Sequence, residues 1–424
     1  MQAVIICGGK GTRLKSVIKN KPKSNVIINK IPNIIDQIYK LRKNNIKEIF
    51  LLTNHYENEI RKIVVRFKIT NCKIIKDSSY FGTGGALIAA IKFLKNEFIV
   101  LYSDIYFNFN IKNFITASKK KKIYANVVVH ANDHPHDSDA VNIDIHNRIT
   151  KIYLKNTNHV RLNFCIAGVF YFKKKFLINL EFKKKNIEIT KDILMSVPKK
   201  NIFAYQTIEY LKDFGTPQRL QNVKYDIKKK FDKLLIFGRK KPAIFIDRDG
   251  VLNKEVNTPV NSLKKFELIP NIGTAIKKIN DAKIPCFVIS NQASLAKKTL
   301  TTYQLKKMIF KLNFFLSSYK AYIDDYLFCP NSENSNFYDK NVNIYCSKPK
   351  PNILMLKLFE KKYNLDLNKS YLIGDSDIDI LTGLRVGAKT ILVLSNRIFK
   401  YKYPVVPDYI CNNLNDAVNW IIKK

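Results

Sequence analysis

The stretch Ala243-Ile244-Phe245-Ile246-Asp247-Arg248-Asp249-Gly250-Val251-Leu252-Asn253 decides how the second half of this chain is read. Four apolar residues form a short run typical of a strand buried on both faces. The run delivers two carboxylates, spaced i, i+2, to its exposed end. Acids that close repel, and they favour a divalent cation held with a backbone carbonyl. The first acid is then placed to attack phosphorus and the second to shuttle a proton.

Working outward, three further pieces follow in the same half. The strand expected at Cys286–Ile289 ends in Ser290-Asn291-Gln292. Lys348 lies in Ser347-Lys348-Pro349-Lys350-Pro351. The strand expected at Tyr371–Ile373 ends in Gly374-Asp375-Ser376-Asp377-Ile378-Asp379. Open α/β sheets bind ligands beyond the carboxyl ends of their strands. A hydroxyl donor, a lysine and a third acid at such ends complete a pocket for phosphate and Mg²⁺.

The first half repeats the alternation of strand and helix. Ala3–Cys7 and Glu48–Thr53 read as strands, Ile31–Lys43 and Glu57–Phe67 as helices. This argues for α/β architecture with largely parallel sheets. Gly8-Gly9-Lys10-Gly11-Thr12-Arg13-Leu14 follows the first strand. Its glycines let backbone N–H groups approach an anion, a following helix would add its positive end, and Arg13 offers a fork to phosphate. The loop is neither a Walker A sequence nor the dinucleotide G-x-G-x-x-G. Pro22-Lys23 comes next. Gly82-Thr83-Gly84-Gly85-Ala86 opens another helix, with room at Gly82 and Gly85 for a ring or phosphate. The strand Phe98–Tyr102 runs into Ser103-Asp104, and a second acid, Asp213, precedes Phe214-Gly215-Thr216-Pro217. Asp133-His134-Pro135-His136-Asp137-Ser138-Asp139 reads as a polar loop rather than a metal cluster.

The 424 residues exceed what one core normally serves. The expected division is 1–225, a linker at 226–241 rich in lysine, and 242–424. Hydrophobic residues make up 46% and charged residues 25%, a globular composition. The formal charge of +40 would suit nucleic acid or anionic membrane. However, the chain shows no recognisable nucleic-acid module, and its wealth of Lys, Ile, Asn, Phe and Tyr matches A/T-rich codon usage. Tracts such as Lys119–Lys122 and Lys183–Lys185 then read as solvated surface, and neither nucleic acid nor membrane is expected as a partner. No apolar run reaches the roughly 18–20 residues of a membrane span. The start of the chain lacks the features of a signal peptide, and the seven cysteines are scattered, so a cytoplasmic location with reduced thiols is expected.

As an ordered set, the motifs of residues 1–225 resemble the sugar-1-phosphate nucleotidyltransferase family. The shared features are GGxGTRL, the lysine of Pro22-Lys23 with Pro32 nine residues later, GTGGA, the aspartate after a strand, and the closing D-x-G-T-P. The resemblance implies a Rossmann-like (GT-A-like) domain. In it Gly8, Gly9, Gly11, Thr12, Arg13 and Lys23 hold the triphosphate, and Asp104 and Asp213 hold Mg²⁺. A sugar-phosphate oxygen attacks the α-phosphorus and pyrophosphate leaves. The chain departs from the family's pattern at Ser24, Ser103 and Leu154-Lys155-Asn156, while Ala167-Gly168 matches its sugar-binding strand.

Residues 242–400 resemble the haloacid dehalogenase superfamily of phosphatases, and within it the heptose bisphosphate phosphatase branch. The resemblance implies a Rossmannoid domain with Asp247 as nucleophile and Asp249 as general acid/base. Ser290, Asn291 and Lys348 would contact the phosphoryl group. Asp247, the Asp249 carbonyl and Asp375 would bind Mg²⁺, and Asp379 would fix local structure. That branch also carries a structural zinc on four ligands. Here only Cys329 and Cys346 remain, with Asn331 and Ile344 in the other places, so no zinc is expected. Together the halves imply an enzyme that removes the C7 phosphate of a heptose 1,7-bisphosphate and then activates the heptose 1-phosphate. GTP is favoured as nucleotide, because the first half looks more like the guanylyltransferases. Two alternatives are another hexose 1-phosphate with a histidinol-phosphate-like phosphatase, and a degenerate binding protein.

Overall fold

The computed structural model describes residues 1–19, 21–76, 81–144, 146–155, 163–236, 238–254, 259–330, 346–394 and 402–423. The chain divides into two compact units. One comprises Met1–Val129, Asn147–Leu154 and Ile166–Phe237, the other His130–His146, Lys155–Cys165 and Gly238–Lys424.

The first unit is built on β1 (Gln2–Ile6), β2 (Glu48–Thr53), β3 (Cys72–Lys76), β4 (Glu97–Tyr102), β5 (Ile105–Phe107), β6 (Ala125–Ala131), β7 (Phe164–Lys173), β8 (Ile202–Gln206) and β9 (Leu211–Asp213). Seven of these lie in one sheet in the order β8-β6-β7-β4-β1-β2-β3. The centre is parallel, with β1 between β2 and β4, and β7 runs antiparallel to β4. β1 is buried along its length, as a strand covered on both faces must be. Helices α1 (Asn33–Lys43), α2 (Glu57–Arg66) and α3 (Gly82–Ala90) alternate with the strands. Ile34, Ile35, Ile38 and Leu41 of α1 follow helical spacing and enter the core with Ala3, Ile5, Ile49 and Leu51. β5 and β9 stand apart as a two-stranded antiparallel ribbon.

Two more helices, α4 (Pro217–Lys228) and α5 (Phe231–Leu234), follow the ribbon. They occupy much of the expected linker, and the reason is burial. Asp226 and Asp232 are 5% and 3% exposed, and both are hydrogen-bonded within the first unit. At the far end of that span Lys241 already belongs to the second unit: its N–H donates to the Asn364 carbonyl and its carbonyl accepts from the Asp366 N–H.

The second unit carries a fully parallel sheet of β10 (Ile244–Ile246), β11 (Cys286–Asn291), β12 (Asp325–Cys329), β13 (Tyr371–Gly374), β14 (Lys389–Val393) and β15 (Tyr409–Cys411). The order is β12-β11-β10-β13-β14-β15, which puts β10 in the middle. Helices α6 (Ile272–Asp281), α7 (Thr302–Ser318), α8 (Leu354–Tyr363), α9 (Asp377–Leu384) and α10 (Leu414–Lys423) connect or follow these strands. A capping box at Thr301 and Gln304 starts α7. Ile276, Ile279, Met308, Leu312, Val418 and Ile421 share one core with Ile244, Val288 and Ile391. Both units are therefore α/β, as the alternation of motifs predicts. Among the described residues no helix is long and apolar enough to cross a membrane.

Candidate active sites

In the second unit, three neighbouring parallel strands deliver side chains to one edge of the sheet. Asp247 follows β10, Ser290 lies at the end of β11, and Asp375 follows β13. The register Ile246↔Ile373 brings Asp247 level with Gly374, the residue before Asp375, and the Asp247 N–H donates to the Ile373 carbonyl at 2.9 Å. Carboxylate oxygens of Asp247, Asp375 and Asp379 all fall within 4.8 Å of one another, and all three residues are buried. Gly250, with φ +81°, closes the loop, and a Cβ there would collide with Asp375 Oδ2. These hard oxygen donors fit Mg²⁺. Burial pushes the Asp247 carboxyl up. The Lys350 ammonium pulls it down, Asp379 and Asp249 add to the rise, and the outcome is about 7.

The lysine in this site is Lys350. Its Nζ lies 3.1 Å from Asp247 Oδ1 and 2.5 Å from Asp379 Oδ1, and the residue is 5% exposed. Lys348, the residue expected there, is exposed. The chain bends at Ser347 and Lys348 and turns at Lys350, and this path turns Lys350, not Lys348, toward the carboxylates. Asn291 turns out to hold that segment: its Oδ1 accepts from the Lys350 N–H at 2.8 Å and its Nδ2 donates to the Lys350 carbonyl at 3.0 Å. Asp379, expected to fix local structure, has two sets of neighbours. It belongs to the carboxylate cluster and also accepts from Ser376 Oγ at 2.5 Å.

Asp249 is gripped from three sides. Arg248 donates through Nη2 to Oδ2 at 2.6 Å and through Nε to Oδ1 at 3.0 Å. Gln292 Nε2 donates to Oδ2 at 2.7 Å and Asn253 Nδ2 to Oδ1 at 2.9 Å. Arg248 is 2% exposed, with its guanidinium over the rings of Phe266 and Phe328. Arg248, Gln292 and Asn253 sit inside the quoted motifs, yet spacing along a chain does not reveal that they converge on one carboxylate. Gln292 Nε2 also donates to Ser290 Oγ at 3.1 Å.

Cys329 and Cys346 are buried together. Cys329 Sγ donates to the Cys346 carbonyl at 3.0 Å, and Cys346 Sγ to the Lys348 carbonyl at 3.1 Å. The Cys329 thiol beside it pulls the Cys346 thiol down, against burial. Among the described residues, these two thiols are what stands at the place considered for zinc. Asn331, Ile344 and Tyr345 lie outside the described residues, as does Asn156. All seven cysteines are free thiols.

In the first unit, Gly8, Gly9 and Gly11 form an open turn after β1, with Gly11 at φ +64°. The turn leads into seven helical residues, a 3₁₀ turn at Thr12–Leu14 followed by an α-helical turn at Lys15–Ile18, so the helix expected after the loop is short. Cationic side chains also gather beside the loop. The Lys23 side chain runs along the loop, with its Cε 3.3 Å from where a Gly9 Cβ would stand, and its Nζ pairs with Asp104 Oδ2 at 2.5 Å. Burial pushes the Asp104 carboxyl up, but Lys23 and then Arg13 outweigh it and hold it below the usual carboxylate range.

The β5–β9 ribbon brings the two acids together. Asp213 pairs opposite Ile105, the residue after Asp104, and the Phe214 N–H donates to the Asp104 carbonyl at 2.9 Å. Gly215 stands between them. A Cβ built there would lie 3.3 Å from Asp213 Oδ1, 3.4 Å from Arg13 Nη2 and 3.6 Å from Asp104 Oδ2. Arg219 Nη1 donates to Asp213 Oδ1 at 2.8 Å, a contact the sequence reading missed. Two carboxylates facing three cations suit a metal-bridged polyphosphate, for which charge neutralisation is the main requirement.

Gly82 and Gly85 open α3 as expected, but their surroundings are protein. The N–H groups of Gly84 and Gly85 donate to the Ile187 carbonyl at 2.8 and 3.1 Å, and a Cβ on Gly82 would strike that same carbonyl. At this point these glycines admit a neighbouring chain segment. Gly168, at φ +70°, packs under Ile105 and Tyr102. In the 133–139 loop, His134 Nδ1 pairs with Asp133 at 2.5 Å and Ser138 Oγ donates to Asn132 Oδ1 at 3.0 Å.

Residues 2–230 match the family described as nucleotidyl transferase, and residues 347–417 match the HAD-hydrolase-like family. The D-glycero-D-manno-heptose-1,7-bisphosphate 7-phosphatase of Thermosynechococcus vestitus is 33% identical over 188 residues, covering 43% of this chain and 95% of that protein. The bifunctional protein GlmU of Methanococcus aeolicus is 30% identical over 258 residues, covering 56% of this chain and 58% of the other. The D-glycero-alpha-D-manno-heptose 1-phosphate guanylyltransferase of Campylobacter jejuni is 40% identical over 113 residues, covering 26% of this chain and 51% of its own length. The chain thus spans between half and three-fifths of the latter two relatives. With two acid-and-cation sites on two α/β units and these matches, the chain belongs to the nucleotidyl transferase family and, through its second half, to the heptose bisphosphate phosphatase family, as an enzyme with a nucleotidyltransferase and a phosphatase on one polypeptide.

Proposed function

We propose that this enzyme converts D-glycero-D-manno-heptose 1,7-bisphosphate into a nucleotide-activated heptose in two steps, using GTP. The observation that carries the reading is the placement of Asp247 and Asp375 on adjacent strands beside Asp249 and Lys350, on the same chain as the Arg13–Lys23–Asp104–Asp213 cluster. The names of the relatives that match each half support the choice of sugar.

In the first step an Asp247 oxygen attacks the C7 phosphorus, and the bond from phosphorus to the sugar oxygen breaks. Asp249 gives that oxygen its proton. Water then attacks the aspartyl phosphate with Asp249 as base, and inorganic phosphate leaves. Lys350 and Ser290 neutralise the phosphoryl oxygens. In the second step an oxygen of the heptose 1-phosphate attacks the α-phosphorus of the nucleotide, and pyrophosphate leaves. The Gly8–Thr12 loop, Arg13 and Lys23 hold the triphosphate. Mg²⁺, held by Asp247, Asp375 and the Asp249 carbonyl in one unit and by Asp104 and Asp213 in the other, would supply charge neutralisation in both steps. The free thiols suit a reducing cytoplasm.

The test is mass spectrometry of purified protein with Mg²⁺, the heptose bisphosphate and all four nucleoside triphosphates. GDP-heptose with phosphate and pyrophosphate is expected. Heptose 1-phosphate with no sugar nucleotide would refute the transferase half, and no phosphate release would refute the phosphatase half. Asp247→Asn should abolish phosphate release yet still form sugar nucleotide from heptose 1-phosphate supplied directly.

A further inference from the structure

The ribbon that carries Asp104 and Asp213 has only three residues in each strand. A pair of strands that short does not hold its place unaided. Its support comes from behind. Tyr106 and Tyr210 are each 2% exposed and meet edge-to-face with ring centroids 5.9 Å apart. The Tyr106 hydroxyl donates to Asp232 Oδ2 at 3.0 Å, and Asn108 Nδ2 donates to the same oxygen at 3.0 Å. The Tyr210 hydroxyl donates to Asp226 Oδ2 at 3.0 Å, and the Tyr210 N–H donates to the Leu235 carbonyl at 3.1 Å. Lys40 Nζ lies 4.0 Å from the centre of the Tyr106 ring and 2.5 Å from Asp36 Oδ2, which puts an ion pair against the same ring.

The apolar contacts repeat the arrangement. Leu220 and Val223 of α4 share a small core with Tyr106, Tyr210 and Phe214 of the ribbon and with Leu14 and Ile18 behind the glycine loop. This core is separate from the one under the main sheet. It joins the triphosphate loop, the metal ribbon and the helical tail. Buried carboxylates add little to stability, because desolvation offsets their pairing, whereas they do fix geometry. Asp232 is an expensive residue by this measure: it is 3% exposed, and its Oδ1 has no hydrogen-bond partner among the described residues.

We propose that Asp232, with Asp226, is a positioning residue of the nucleotidyltransferase, and that the tail 217–235 is the back wall of its metal-binding ribbon. The proposal rests on the reading of Asp104 and Asp213 as metal ligands. Partners hydrogen-bonded to a metal's direct ligands typically change its affinity by about 10–100-fold, and a group one contact further back belongs at the low end of that range.

The test is Mn²⁺ binding to the full chain, followed by electron paramagnetic resonance, in the wild type, Asp104→Asn, Asp232→Asn and Tyr106→Phe. The last removes one hydroxyl and keeps the ring. Asp104→Asn identifies the Mn²⁺ bound in the first unit. Asp232→Asn should weaken that Mn²⁺ about 10-fold, raise the Mg²⁺ needed for half-maximal nucleotidyl transfer to match, and leave phosphate release within twofold of the wild type. Tyr106→Phe should move both metal readouts in the same direction by less. Unchanged Mn²⁺ affinity in both variants, with or without a lowered melting temperature, would reduce the tail to a structural element and overturn the proposal. Mn²⁺ binding that Asp104→Asn does not alter would overturn the metal reading itself, and the proposal with it.

Discussion

Replacing Lys350 by alanine removes the ammonium that sits between Asp247 at 3.1 Å and Asp379 at 2.5 Å. At an effective dielectric of about 20, unit charges 3.1 Å apart attract by roughly 5 kcal/mol before desolvation is counted. Deleting one partner of a buried pair costs about 3–5 kcal/mol, because the other charge is left uncompensated. Here two carboxylates are left, close enough for one to retain a proton, which relieves part of that cost. A loss of about 3 kcal/mol lowers the melting temperature of a unit this size by roughly 6–12 °C. Loss of a cation facing the transferring phosphoryl group should reduce phosphate release by about 10²–10³-fold. Lys348→Ala removes an exposed side chain and should change stability by no more than about 0.5 kcal/mol. The assay is inorganic phosphate release beside a thermal melt for both variants, with nucleotidyl transfer in the same preparations as a control on folding. A Lys348→Ala enzyme that loses activity while Lys350→Ala keeps it would refute the placement of the lysine.

Gly250→Ala should push Asp375 out of place, since the added methyl collides with its Oδ2 at a φ of +81°. Phosphate release should fall at least about 10-fold, with the loss partly recovered at high Mg²⁺; wild-type activity at ordinary Mg²⁺ would contradict the packing. The raised Asp247 carboxyl, near 7 in the absence of metal, sets a pH dependence. Below that pH the folded protein carries a proton on Asp247 that a cation must displace, and above it the carboxylate is free. The Mg²⁺ concentration for half-maximal phosphatase activity should therefore rise about tenfold per pH unit below 7 and level off above it. A flat dependence from pH 5.5 to 8.5 would contradict the burial that raises this group.

Much of the fold is legible in the chain because parallel strands buried on both faces must be continuous apolar runs. Glu48–Thr53 is a strand with the bounds its alternation predicts, and the helix expected at Glu57–Phe67 ends one residue earlier. Asp247, Ser290 and Asp375 are legible for a related reason, since each stands at the carboxyl end of such a run. The helical structure at 226–228 and 231–234, inside the expected linker, is not legible in its lysine-rich sequence. The residues that matter there, Asp226 and Asp232, are polar groups whose burial depends on tyrosines more than a hundred residues earlier in Asp232's case and on Tyr210 in Asp226's.

The class of chemistry is written in local patterns. Short apolar runs ending in acids, together with glycine loops, specify two α/β units that handle phosphate, because local periodicity and backbone freedom are properties of neighbouring residues. Which groups meet is set by the folded chain. It selected Lys350 over Lys348, gathered Arg248, Gln292 and Asn253 onto Asp249, and gave the N–H of Gly85 to the Ile187 carbonyl. It also set Asp213 beside Asp104 through the register of a three-residue ribbon. Each of these is a contact between residues distant in the chain or a choice between near-identical neighbours. Packing and desolvation settle such choices, and neither acts until the chain has closed on itself.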